Sequence, residues 1–176
     1  MKKPRLLLGS LLWMLLLCKP FSAGAVEPIP DTPDELPELE EVLEMLDADE
    51  KPAGIVFVVY EYDESALSWI MPRLVYYATL IHQRAAELPV AVVSHGDEML
   101  SLTTENAAVY PEVHFDLETL VKELDVLFHV CGSFAALNDL DESDFPDSLD
   151  VVPFAPAQVE DYRSLDYQAI EVELSL

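Results

Sequence analysis

The sequence predicts an α/β domain: a parallel sheet with helices on both faces. Three observations carry this. Ile55–Tyr60 is an uninterrupted β-branched and aromatic run, and Pro89–Ser94 a second apolar run, the pattern of strands buried on both sides. Residues 66–88 carry Leu67, Ile70, Leu74, Tyr77 and Ile81 three or four apart, which is helical spacing. Strand and helix patterns then alternate to the end of the chain, which calls for right-handed crossovers between parallel strands.

The elements follow in order. Met1–Arg5 is a basic start, Leu6–Leu17 a short apolar core, and Ala23 and Ala25 fit the small-x-small cleavage rule. Residues 1–25 are therefore expected to be a cleaved signal peptide, with the protein periplasmic or otherwise exported. The apolar run is too short to span a bilayer comfortably, so no stable membrane anchor is expected after cleavage. Cys18 follows Leu15-Leu16-Leu17 rather than a small residue, which argues against a lipoprotein site.

Residues 26–53 form an acidic lead-in punctuated by Pro28, Pro30, Pro33 and Pro37. Leu36, Leu39, Leu43 and Leu46 predict one short amphipathic helix at about 36–48, docking in cis. Residues 54–176 form the domain proper. After the first strand, Glu61–Ser65 is a polar loop, 66–88 a long helix and Pro89–Ser94 the second strand. His95–Glu98 is a turn, leading into a weak helix or loop to about Pro111. A third helix starts near Phe115 with Asp116 as its N-cap. Val126–Val130 is a strand, Phe134–Leu140 a short helix, Leu149–Pro153 a strand, Ala157–Leu165 a helix and Gln168–Leu174 the last strand.

The chain has 34 acidic against nine basic residues, a formal charge of −25. The leader holds Lys2, Lys3, Arg5 and Lys19 and no acid, so its loss makes the balance more negative still. Such a surface repels nucleic acid and anionic lipid, and disfavours an anionic substrate unless a local dipole compensates. No nucleic-acid partner is expected.

Chemistry in open parallel sheets gathers beyond the carboxyl ends of the strands. Two candidates stand there: Cys131 after the third strand, and Ser94-His95-Gly96-Asp97 after the second. If those strands are neighbours, His95 and Cys131 meet on one rim. With the leader gone Cys131 is the single thiol, so it has no internal disulfide partner. Gly132 would allow a tight turn and Ser133 would cap the next helix, aiming backbone N–H groups at a thiolate. Equally, cysteine is among the most buried residue types, and Cys131 can be a packed side chain.

His129 shares the strand face of Cys131. His95, His129, Asp97 and Cys131 could make a metal site, although no CxxC, HxxxH or HExxH spacing supports one, and His129 reads as a core histidine. No metal or other cofactor is expected. His82 and His114 have no partner pattern. Gly54, Gly96 and Gly132 are too far apart for a phosphate loop. Ser94-His95 lacks the leading glycine of a nucleophile elbow.

From Gly54 onward the ordered motifs resemble the DsrE/DsrF-like family, small α/β proteins of sulfur relay and oxidation. They are the opening strand and long helix, Val90-Ala91-Val92-Val93-Ser94-His95-Gly96, Leu120–Leu124, His129-Val130-Cys131-Gly132, Val151-Val152-Pro153-Phe154 and Tyr162–Ile170. The resemblance implies a flavodoxin-like three-layer α/β/α fold with a mostly parallel sheet of about five strands, and assembly into homo-oligomers. It implies a sulfur carrier rather than a turnover enzyme, with Cys131 as sulfur acceptor, His95 as its supporting neighbour, and a donor or acceptor protein as partner. Two positions depart from the family pattern. Phe154-Ala155 replaces Ser-Gly, and Asp166-Tyr167 replaces Gly-Tyr, placing Asp where a glycine could take positive φ. The alternative is a non-catalytic oligomeric binding or assembly module in which Cys131 is only packed.

Overall fold

The computed structural model describes residues 36–174; the leader with Cys18, and Pro28, Pro30 and Pro33 of the lead-in, lie outside the described residues. Five strands form one all-parallel sheet: β1 Gly54–Val59, β2 Val90–Ser94, β3 Leu127–Cys131, β4 Asp150–Val152 and β5 Tyr167–Val172. Their order across the sheet is β4-β3-β2-β1-β5. The helices are α1 Leu39–Asp47, α2 Leu67–Arg84, α3 Pro111–Glu118, α4 Gly132–Leu137 and α5 Ala155–Ser164. This is the predicted three-layer α/β arrangement.

The winding explains the layers. From β1 to β4 the chain moves steadily towards one edge, then α5 carries it back across the sheet so that β5 pairs with the free side of β1. Right-handed connections send the helices of the outward run to one face and α5 to the other. Side chains agree: Phe57 of β1 stacks on Tyr77 of α2 at 5.7 Å, whereas His129 of β3 meets Tyr162 of α5 at 2.7 Å. The core fills both interfaces, with Ile55, Phe57, Val92, Phe128, Leu74 and Ile81 enclosed on the α2 side and Val56, Ala91, Val93 and Val159 on the α5 side.

The lead-in helix does dock in cis. Its buried side chains are Val42, Met45 and Leu46, with Leu36 just before it. Leu39 and Leu43 are only half-buried, so the packed face is turned relative to the leucine spacing. The cause is polar. Glu38 forms a buried ion pair with Arg73 of α2 and accepts from Tyr77 Oη at 2.8 Å, while Arg73 Nη1 also donates to the carbonyl of Glu173 at 2.9 Å. The pair fixes the start of α1 against both α2 and the C-terminal segment.

Several boundaries differ from expectation. The third helix begins at Pro111 with Tyr110 as N-cap, so Asp116 lies inside it rather than capping it. Proline at the first helical position has no N–H to lose and decides the start. The loop from Asp97 is two short 3₁₀ turns, Asp97–Leu102 and Glu105–Ala108. α4 starts at Gly132, so Cys131 itself is the N-cap and Ser133 sits inside the first turn. α5 starts at Ala155, two residues early, with Pro156 in its first turn. Asp166 takes φ 65°, the left-handed conformation anticipated there, and its carbonyl accepts from Ala53 N at 2.9 Å.

Candidate functional site at the carboxyl end of the sheet

Strands β2 and β3 are neighbours, with Ser94 opposite Val130. Val59 stands opposite Ser94 in turn. Tyr60, His95 and Cys131 therefore occupy one level on three adjacent strands, each just past or at its strand's end. The winding adds what the sequence did not reveal. Right-handed crossovers put α4, which follows β3, on the α2 side, whereas α5, which follows β4, packs on the other. Cys131 thus sits at the topological switch point, where adjacent strand ends part to opposite faces and open α/β sheets place their ligands.

Cys131 is a free thiol and only 3% exposed. Its surroundings are not purely aliphatic. Sγ lies 3.2 Å from Ser133 Oγ and accepts the backbone N–H of Ala155, the first residue of α5, at 3.5 Å. One expectation changes here: Ser133 turns its hydroxyl to the thiol instead of capping a helix. Gly132 carries the chain from β3 straight into α4 and gives close approach, because a Cβ there would meet Val152 O at 3.0 Å and Val151 Cγ1 at 3.2 Å.

His95 shares the level of Cys131, but no hydrogen bond among the described residues joins them. Its ring stacks on Tyr60, centroids 4.7 Å apart and planes 15° off parallel. Burial lowers its pKa below the usual histidine value. At pH 7 it is a neutral base rather than the imidazolium that would draw a thiolate towards it.

His129 points from the same face of β3 to α5. Nε2 meets Tyr162 Oη at 2.7 Å, while Nδ1 is buried, unpartnered, and 3.7 Å from Asp150 Oδ2. Burial lowers its pKa and Asp150 partly opposes this. Among the described residues no three His, Cys, Asp or Glu side chains converge as metal ligands, so His95, His129, Asp97 and Cys131 are not brought together into one site. His114 Nε2 lies 3.1 Å from the carbonyl of Ser101, a structural contact, and His82 is exposed.

The rim is organised by a residue that sequence reasoning missed. Glu98 is fully buried. Its Oε1 accepts from Ser94 Oγ at 2.8 Å, Gly96 N at 2.9 Å and His95 N at 3.0 Å, and its Oε2 accepts from Glu61 N at 2.8 Å. Burial raises its pKa above the usual carboxylate value, against the pull of those hydrogen bonds. The carboxylate ties the loop after β1 to the loop after β2. Gly96 lets them meet, since a Cβ there would fall 2.3 Å from the Glu61 carbonyl.

No protein-family profile matches the chain, and no curated protein matches it. Among solved structures, a protein of unknown function from Methanobacterium thermoautotrophicum is similar, with TM-score 0.53 and 18% identity, over 67% of this chain and 97% of its own. At that identity the likeness establishes the fold alone.

Proposed function

We propose that Cys131 takes up sulfane sulfur and holds it as a persulfide, making the protein a sulfur carrier rather than a turnover enzyme. The supporting observation is the seat of the thiol at the switch point, with Ala155 N–H at 3.5 Å and Ser133 Oγ at 3.2 Å. Anionic sulfur there is favoured by the N-terminal end of the ten-residue α5 and by the hydroxyl. No Lys or Arg occurs between residues 85 and 121 or between 123 and 162, so the segments after β2 and β3 bring no cationic side chain to this rim. The motif resemblance to DsrE/DsrF-like proteins supports sulfur as the cargo.

With thiosulfate as donor, the Cys131 thiolate attacks the outer sulfur. A new S–S bond forms at Sγ, the donor S–S bond breaks, and sulfite departs with the bonding pair. His95, neutral at pH 7, is the base at the same rim level and can accept the thiol proton through solvent. The same proposal includes export after cleavage behind Ala25, and homo-oligomers. N-terminal sequencing of secreted protein and light scattering after gel filtration check these two parts.

The low exposure of Cys131 favours a second reading, an assembly module whose thiol only packs. Intact-mass measurement in a Cys18→Ser background separates the two. Exposure to thiosulfate or polysulfide should add one sulfur atom to Cys131 and none to Cys131→Ser. A native protein that gains no sulfur, and whose thiol reacts with labelling reagents only after unfolding, assigns Cys131 to packing.

A further inference from the structure

The rim carries a second feature, of which sulfur chemistry at Cys131 uses only His95. Tyr60 and Tyr62 are 44% and 78% exposed, yet they are not loose. Their rings meet edge to face at 5.0 Å, their hydroxyls lie 3.1 Å apart, and Tyr60 also stacks on His95. Glu61, between them, is pinned on three sides. Its N–H donates to Glu98 at 2.8 Å, its carbonyl accepts from Asp97 N at 2.8 Å, and its carboxylate accepts from Leu174 N at 2.6 Å. An exposed aromatic step has thus been fixed in place before anything binds.

The charge around the step has one sign. Glu61, Asp63, Glu64 and Asp97 flank it in sequence, and no Lys or Arg occurs between Lys51 and Arg73 or between Arg84 and Lys122. We propose that the Tyr60–Tyr62–His95 step is a docking platform for an arginine-bearing segment of a partner protein. Guanidinium groups stack on aromatic faces and pair with carboxylates, so one side chain can satisfy both halves of the surface. The fixed geometry lowers the ordering cost of binding. The surface stands independently of whether Cys131 carries sulfur.

Fluorescence anisotropy with the full chain and a labelled peptide of alternating Arg and Gly tests this. Wild type should bind, more weakly as salt rises, and more weakly to the matching Lys–Gly peptide. Tyr62→Ala should weaken binding by about three-fold, and the Tyr60→Ala/Tyr62→Ala double variant by about ten-fold. Phe115→Ala, which removes an exposed aromatic ring on α3, should leave it unchanged. Urea midpoints check that each variant is folded. The proposal is overturned if wild type does not bind, if the double variant binds like wild type, or if Phe115→Ala loses as much as Tyr62→Ala.

Discussion

Replacing Glu98 by Gln keeps the shape of the side chain and removes one acceptor, so it isolates what the buried carboxylate does. Oε1 faces three donors, from Ser94, His95 and Gly96, and Oε2 faces one, from Glu61. The carboxamide oxygen will stay with the three, which turns the NH₂ towards the Glu61 N–H. One charge-assisted hydrogen bond, at about 1.5–3 kcal/mol, is lost. The orphaned Glu61 N–H adds a desolvation cost of about 1–3 kcal/mol. Relief of the buried charge returns part of this, because burial is what raises the Glu98 pKa. The expected net destabilisation is about 2–4 kcal/mol. Urea unfolding at pH 7 measures it, with an unchanged m-value showing that the states compared are the same. Amide exchange adds a local test: protection should fall first at Glu61, the amide left without an acceptor. A loss below about 0.5 kcal/mol, the scale of an ordinary surface change, with Glu61 still protected, would refute the claim that this carboxylate ties the two loops together.

Two further perturbations probe the supports around the rim. Glu38→Ala should destabilise by about 3–5 kcal/mol, because it strands the buried Arg73 guanidinium. In the same unfolding assay the Glu38→Leu/Arg73→Met double variant should recover most of that loss, and a double variant as unstable as the single would show that the ion pair is not the cause. Asp116 is pushed up to about 6 by burial and then by Glu112, from an ordinary value of 3.8. The native state therefore holds this proton to higher pH than the unfolded chain, so its contribution to stability rises as pH falls through that window. Asp116→Asn should stabilise by about 1 kcal/mol at pH 7 after allowance for solvent screening, and by almost nothing at pH 4. His95 and His129, with lowered pKa values, act in the opposite sense as pH falls, so the quantity to compare is variant minus wild type.

Strands β1 and β2 were legible because both of their faces are buried, which leaves an unbroken apolar run. The helix pattern of α2 was legible from its spacing. The face of α1 was not, because a single polar cluster at Glu38 outweighs the leucine period in setting the helix's rotation. The start of α3 was missed by weighing Asp116 as a cap above Pro111, whose missing N–H is the stronger mark of a first turn. At the site, the sequence placed Cys131 at a strand end but could not give its surroundings. Its backbone donor belongs to Ala155, beyond β4, and reaches the thiol because β4 pairs with β3, with Val152 opposite Cys131. Strand order, and hence the switch point, is not written in local periodicity. Glu98 was read only as the end of the turn after β2. Its partners come from two loops, and only Gly96 beside it hinted that two backbones touch.

The charge of the rim bears on how sulfur could arrive. Two unit charges about 10 Å apart in water interact by about 0.4 kcal/mol before screening. A dianion such as thiosulfate approaching Glu61, Asp63 and Asp97 would therefore meet a repulsion of about 2–3 kcal/mol, cut to below about 1 kcal/mol at physiological salt. That is too little to forbid reaction at Cys131, and enough to slow encounter with a free anion relative to a neutral or cationic carrier. The proposed arginine platform would act in the same direction, since it begins at His95, one strand away from the thiol. If Cys131 carries sulfur as proposed, an acidic rim of this kind suits delivery by a basic partner better than collection of a free anion from solution.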